Sequence, residues 1–134
     1  MIVGIDPGER RIGIAIADLE TRFARPLEVI DTRTTDVIAR VVEIVTEHDV
    51  TTIVIGRPVG LSGAAGAAVD RQQELLASLR AASDVEIVEY DERLTTVMAN
   101  RALRAAGRST RDTKNIRDAV AAQILLQNYL DSTR

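Results

Sequence analysis

Five short apolar runs, each closed by a turn signal or a polar stretch, divide this chain into strands, and the intervals between the later ones change to a helical period. Met1–Ile5 is a continuous apolar run and predicts a buried strand. Arg11–Ala17 predicts a second strand, and the Pro7-Gly8 turn between them makes an antiparallel hairpin. Pro26–Asp31 predicts a third strand. Val37, Ile38, Val41, Val42 and Val45 then keep helical spacing, with Thr34, Thr35 or Asp36 as the cap, so a helix runs to about His48. Thr52–Gly56 is again a buried strand. A glycine-rich loop, Arg57–Gly66, separates it from a helix over Ala67–Ala82 whose inward residues are Val69, Leu75, Leu76 and Leu79. Val85–Tyr90 predicts the fifth strand. Thr95 or Thr96 caps a helix to about Ala106, Gly107–Asn115 reads as a polar, basic loop, and Ile116–Leu130 is the last helix, with Asp118 in its first turn.

The order βββαβαβαα implies a mixed α/β sheet. Three sequential strands favour an antiparallel meander, and the later alternation favours parallel strands joined by helical crossovers. No internal repeat and no long linker interrupts the 134 residues, so one domain over residues 1–134 is expected. With 46% hydrophobic but only 2% aromatic residues, the core must be built of Val, Ile, Leu and Ala. The absence of cysteine excludes disulfides and thiolate metal sites. No apolar run approaches the ~20 residues of a membrane span, and the chain opens as a strand rather than as a basic-then-apolar leader, so a cytoplasmic protein is expected.

Packing does not ask for acids where this chain puts them. Asp6 follows the first strand, Asp91-Glu92 follow the fifth, and Asp118 opens the last helix. If strands one and five are parallel, their carboxyl ends share one side of the sheet, and a helix crossing there brings Asp118 to the same place. Carboxylates gathered in this way need a cation. Hard oxygen ligands suit Mg²⁺ or Mn²⁺, and a pair of such ions serves phosphodiester cleavage. Each acid also has a plainer reading. Asp6 can support the Pro7-Gly8 turn, Asp118 can complement a helix dipole, and Asp91-Glu92 can be a polar strand exit.

The net charge of −3 argues mildly against a polyanionic partner, but its distribution argues for one. Arg93, Arg101, Arg104, Arg108, Arg111, Lys114 and Arg117 face a single acid, Asp112, within that stretch, which is therefore +6 and leaves −9 for the rest. A polyanion responds to the local field. The glycine-rich loop precedes a helix N-terminus, where backbone N–H groups receive phosphate, yet it lacks the Gly-Lys-Ser/Thr of a nucleotide P-loop. His48, the sole histidine, reads as a solvated helix end.

Gly4-Ile5-Asp6-Pro7-Gly8 with Arg11-Ile12-Gly13-Ile14-Ala15, Val54-Ile55-Gly56-Arg57-Pro58, Asp91-Glu92-Arg93-Leu94-Thr95-Thr96, and Asp118 through Leu126 resemble, in order and spacing, the YqgF-type family of candidate Holliday junction resolvases. Its members are also described as candidate pre-16S rRNA nucleases. The resemblance covers nearly the whole chain, and the Asp-Glu-Arg-Leu-Thr-Thr segment is its most specific part. It implies a ribonuclease-H-like fold and a metal-dependent nuclease using Mg²⁺ or Mn²⁺. The family's acids map onto Asp6, Glu92 and Asp118. Arg11, Arg93, Lys114 and Arg117 are the basic residues expected to hold nucleic-acid phosphates. Arg57 departs from the family, standing where its Gly-x-Pro segment carries an apolar residue.

The implied activity is endonucleolytic cleavage of structured nucleic acid in the cytoplasm, foremost 5′-end processing of precursor 16S rRNA during ribosome biogenesis, with the ribosome or its assembly factors as partners. Cleavage of four-way DNA junctions is the rival within the class. A junction has two-fold symmetry and calls for a dimer, whereas rRNA processing is open to a monomer or a homodimer. Two other classes remain open. The Asp-Pro-Gly hairpin also resembles the phosphate loop of actin-like ATPases and sugar kinases, which close two such domains over a nucleotide, and a non-catalytic RNA-binding module would keep the fold without using the acids.

Overall fold

The computed structural model describes residues 1–57, 63–91 and 110–133, with side chains for all of these except 63–65 and 110–118. Five strands, β1 (Ile2–Asp6), β2 (Arg11–Ala17), β3 (Ala24–Asp31), β4 (Thr52–Arg57) and β5 (Glu86–Asp91), alternate in their later part with the helices α1 (Val37–Glu47), α2 (Gly63–Ala82) and α3 (Thr110–Ser132). The helix expected between Thr95 and Ala106 lies outside the described residues.

The differences from the expected boundaries have local causes. The third strand starts at Ala24, ahead of Pro26, because β3 is an outermost strand and a missing N–H is tolerated there. The second helix starts at Gly63, so the second half of the expected glycine-rich loop is helical. Ala64, Ala65, Ala67 and Ala68 are strong helix formers and outweigh Gly63 and Gly66. The last helix starts at Thr110 rather than Ile116. Residues 108–132 contain neither glycine nor proline, so nothing in them stops a polar extra turn and a half. Asp118 accordingly lies more than two turns inside α3 and not in its first turn, which removes the helix-dipole reading of this residue.

The sheet order is β3-β2-β1-β4-β5. β1–β2 and β2–β3 are antiparallel, while β4 pairs parallel with both β1 and β5. This is the mixed sheet that the element order implies, and it agrees with the ribonuclease-H-like fold that the resemblance implies.

Strand alternation gives the sheet two faces. One carries Val3, Ile5, Ile12, Ile14, Ile16, Ile53 and Ile55, packed under Val41 and Ile44 of α1 and Leu76 and Leu79 of α2. The other carries Ile2, Ala15, Ala17 and Val54, covered by Ala122, Leu126 and Leu130 of α3. Small residues on that face allow α3 to lie close. A Cβ on Gly4 would stand 2.8 Å from Leu126 Cβ and 3.1 Å from the Ala122 carbonyl oxygen. Asp36 caps α1 by accepting from Ala39 N–H at 3.1 Å. Arg40 ties α1 to the outermost strand through a two-pronged pair with Glu28, at 2.6 and 3.0 Å.

Candidate nucleic-acid and metal site

The parallel pairing of β1, β4 and β5 puts their carboxyl ends on one rim of the sheet, where β2 also begins and β3 ends. Asp6 closes β1 there, opposite Gly13 of β2, and its side chain is half-buried. Gly4 and Asp6 are two residues apart on one strand, so both belong to the α3 face.

The turn that follows Asp6 is tightly held. A Cβ on Gly8 would fall 2.3 Å from the Arg11 carbonyl oxygen, so only glycine fits. Thr32 donates its hydroxyl to the Glu9 and Arg10 carbonyl oxygens at 2.9 and 3.1 Å, and its N–H to the latter at 2.8 Å. Asp6 is thus fixed by strand pairing on one side and a clamped turn on the other.

Arg11 begins β2 opposite Asp31, two residues farther out on the Asp6 face. The Arg33 backbone N–H, at 2.9 Å from Asp31 Oδ1, is the main cause that holds the Asp31 carboxyl below its ordinary value, with the Arg33 and Arg11 charges assisting. Arg11 therefore stands at the rim, where it shares its charge with Asp31.

Asp118 is placed by the helix backbone. Asp118, Ala122, Leu126 and Leu130 follow one another at four-residue intervals and form one stripe of α3. Toward the C-terminus this helix meets the amino end of the sheet. Gln127 accepts from Ala24 N–H at 2.9 Å and donates to the Arg22 carbonyl oxygen at 3.0 Å, and Ala24 lies level with Ala17 and Ile2. The helix therefore runs antiparallel to β1. Ala122 lies over Gly4, and one turn back is about 6 Å toward the carboxyl rim. Two residues along β1 from Gly4 to Asp6 is about 6.6 Å. The backbone thus brings position 118 level with Asp6.

Lys114 and Arg117 lie in the same first turns of α3, but their side chains, like that of Asp118, are outside the description. Glu92 and Arg93 lie outside the described residues, one and two positions beyond the end of β5. Among the described residues no three His, Asp or Glu side chains form a metal-sized group, and no helix is long and apolar enough to cross a membrane.

Sequence reasoning missed three supports of this rim. Gly4 has a recognisable signal, since glycine inside a strand marks close backbone approach. Thr32 and Asp31 have none, because their role depends on the β2–β3 register.

Known proteins repeat this architecture. Residues 1–132 match the family model described as RuvX, Holliday junction resolvase. A protein of Chloroflexus aggregans named as a candidate pre-16S rRNA nuclease is 40% identical, over 99% of this chain and 94% of its own. A protein of Ruminiclostridium cellulolyticum with the same name is 38% identical, over 97% of this chain and 93% of its own. Among solved structures, Thermus thermophilus RuvC in complex with a Holliday junction substrate superposes with a TM-score of 0.61 at 21% identity, over 98% of this chain and 94% of that one. That last likeness concerns the fold. The match from β1 to the end of α3, at this identity and coverage, makes the chain a member of the RuvX Holliday junction resolvase family.

Proposed function

We propose that this protein is a divalent-metal-dependent endonuclease that cleaves structured RNA, with precursor 16S rRNA as its substrate. One observation carries the reading. Asp6 closes β1 at the carboxyl rim, and α3 packs so closely over Gly4 that a Cβ there would stand 2.8 Å from Leu126 Cβ, which supports a site shared by Asp6 and Asp118. The names borne by the relatives at 38–40% identity supply the substrate.

Asp6 and Asp118, joined by Glu92 beyond β5, are hard oxygen donors and fit Mg²⁺ or Mn²⁺. Ions held there would supply an activated water and charge stabilisation at the leaving oxygen. The chain's own residues do the rest. Asp6, fixed by its turn, holds the donor geometry without reorganisation. Arg11 at the rim, with Arg93, Lys114 and Arg117, holds the flanking phosphates and offsets the repulsion between the acids and the nucleic-acid backbone. A protein that processes precursor 16S rRNA acts in the cytoplasm, beside the ribosome or its assembly factors.

The test offers precursor 16S RNA and a four-way DNA junction, with Mg²⁺ or Mn²⁺, to the wild type and to Asp6→Asn. The expected result is metal-dependent RNA cleavage that Asp6→Asn loses. Preferential junction cleavage by a stable dimer would replace the RNA reading with the resolvase one. Equal cleavage by wild type and variant would remove the catalytic reading altogether.

A further inference from the structure

Arg57 closes β4 between the two strands that carry the rim acids. It pairs in register with Asp91 of β5, and Ile55, two residues before it, pairs with Ile5 of β1. Arg57 therefore stands one position beyond the level of Asp6 on the neighbouring strand. By alternation it belongs to the α1/α2 face, with Ile53 and Ile55, and reaches the rim from the side opposite Asp6.

The neighbourhood of Arg57 is built rather than incidental. Its Nη1 lies 4.0 Å from Glu89 Oε2. The other oxygen of Glu89 is taken up by α2, with Gln72 Nε2 at 3.2 Å and Gln73 Nε2 at 2.8 Å. Gln73 also donates to Gln72 Oε1 at 2.6 Å. Gln72 is fully buried, and it is the sole buried polar residue among the described ones. Burying an amide is costly unless it is bonded, so an apolar residue here would be the simpler core. The two amides and the Arg57 charge hold the Glu89 carboxyl below its ordinary range, hence ionised.

An ionised carboxylate fixed from behind by two glutamines leaves one oxygen directed at Arg57. At 4.0 Å, with the Arg57 side chain 55% exposed, that pair adds little to stability. Beyond hydrogen-bond distance, the carboxylate attracts the guanidinium to this side of the rim by charge alone and leaves its donors available to a second acceptor. Besides Arg57, the described rim bears the acids Asp6, Asp31 and Asp91 and the base Arg11, which shares its charge with Asp31, so a nucleic acid approaching it gains from a further positive charge.

We infer that Arg57 is a ligand for a substrate phosphate at the rim, positioned by Glu89 and the Gln72–Gln73 pair, opposite the acids across the bound strand. This rests on the nuclease reading above. It assigns Glu89 as a positioning residue and Arg57 as a direct contact.

The test measures binding rather than cleavage. A fluorescent precursor 16S RNA fragment and a four-way DNA junction are titrated by anisotropy in EDTA, from 50 to 200 mM KCl, with wild type, Arg57→Leu, Arg57→Lys, Glu89→Gln and the Arg57→Leu/Glu89→Gln double variant. Arg57→Leu is expected to weaken binding by about tenfold and to reduce the salt slope by about 1, the signature of one lost phosphate contact. Arg57→Lys keeps the slope. Glu89→Gln weakens binding while keeping the slope, and adds nothing once Arg57 is gone. Wild-type affinity and slope in Arg57→Leu would overturn the inference alone. A wild type that binds neither nucleic acid would overturn the nuclease reading and this inference together.

Discussion

Gly4→Ala tests the contact that sets α3 against the sheet. The added Cβ would stand 2.8 Å from Leu126 Cβ and 3.1 Å from the Ala122 carbonyl oxygen. Neither is the tip of a flexible side chain. Carbon atoms pack at about 3.5–4.0 Å, so α3 must lift by about 1 Å. Overpacking of this kind costs about 1–3 kcal/mol, and the reduced freedom of the unfolded chain returns part of it, leaving a net loss of about 1–2 kcal/mol. For a domain of this size that lowers Tm by about 3–8 °C in calorimetry. Because α3 also carries Asp118, the same displacement should lower metal-dependent cleavage by about 100-fold. Adding Leu126→Ala leaves the colliding Cβ in place and should recover nothing. A Gly4→Ala protein with unchanged Tm and cleavage, or one rescued by Leu126→Ala, would refute the close-packing argument.

The same substitution at Gly66 should have the opposite sign. Nothing lies within 4 Å of a Cβ there, inside α2, so Gly66→Ala should raise stability by about 0.5–1 kcal/mol in urea unfolding. Gly8→Ala meets the Arg11 carbonyl oxygen at 2.3 Å and must open the turn after Asp6. It should cost more cleavage than stability, and full cleavage by a folded Gly8→Ala protein would mean that the turn does not position Asp6. Glu89 gives a pH signature. Its folded carboxyl is held below the ordinary 4.5 by Gln73, Gln72 and Arg57, so its stabilisation is complete above 4.5 and fades as pH falls through the lowered folded value. The Tm difference between wild type and Glu89→Gln should be constant near neutrality and shrink on acidification below 4.5, and a difference that grows there would reverse the assignment.

The sheet was legible because its signals are local. Apolar runs, the Pro7-Gly8 turn and the switch to helical spacing at Val37 each act within a few residues. Polarity and glycine content are weaker guides than helix-breaking residues. The segment 110–115 is polar and was expected as a loop, yet it holds no helix breaker and continues α3. Gly63 and Gly66 suggested a loop, but the alanines around them decide the helix. The placement of Asp6 at the rim followed from the strand pattern. The level shared by Asp6 and position 118 needed the tertiary contact at Gly4. The Glu89–Gln72–Gln73 array was hidden for a related reason. Residues 17 positions apart meet only through the packing of α2 on β5, and no local pattern announces it.

The central claim is that Asp6 and Asp118 hold one metal site. The direct measurement is a Mn²⁺ titration followed by the electron paramagnetic resonance signal of free Mn²⁺, on wild type, Asp6→Asn and Asp118→Asn, with circular dichroism to show that all three are folded. The account predicts saturable binding by the wild type that either substitution alone abolishes. Equal Mn²⁺ binding by all three proteins would contradict it.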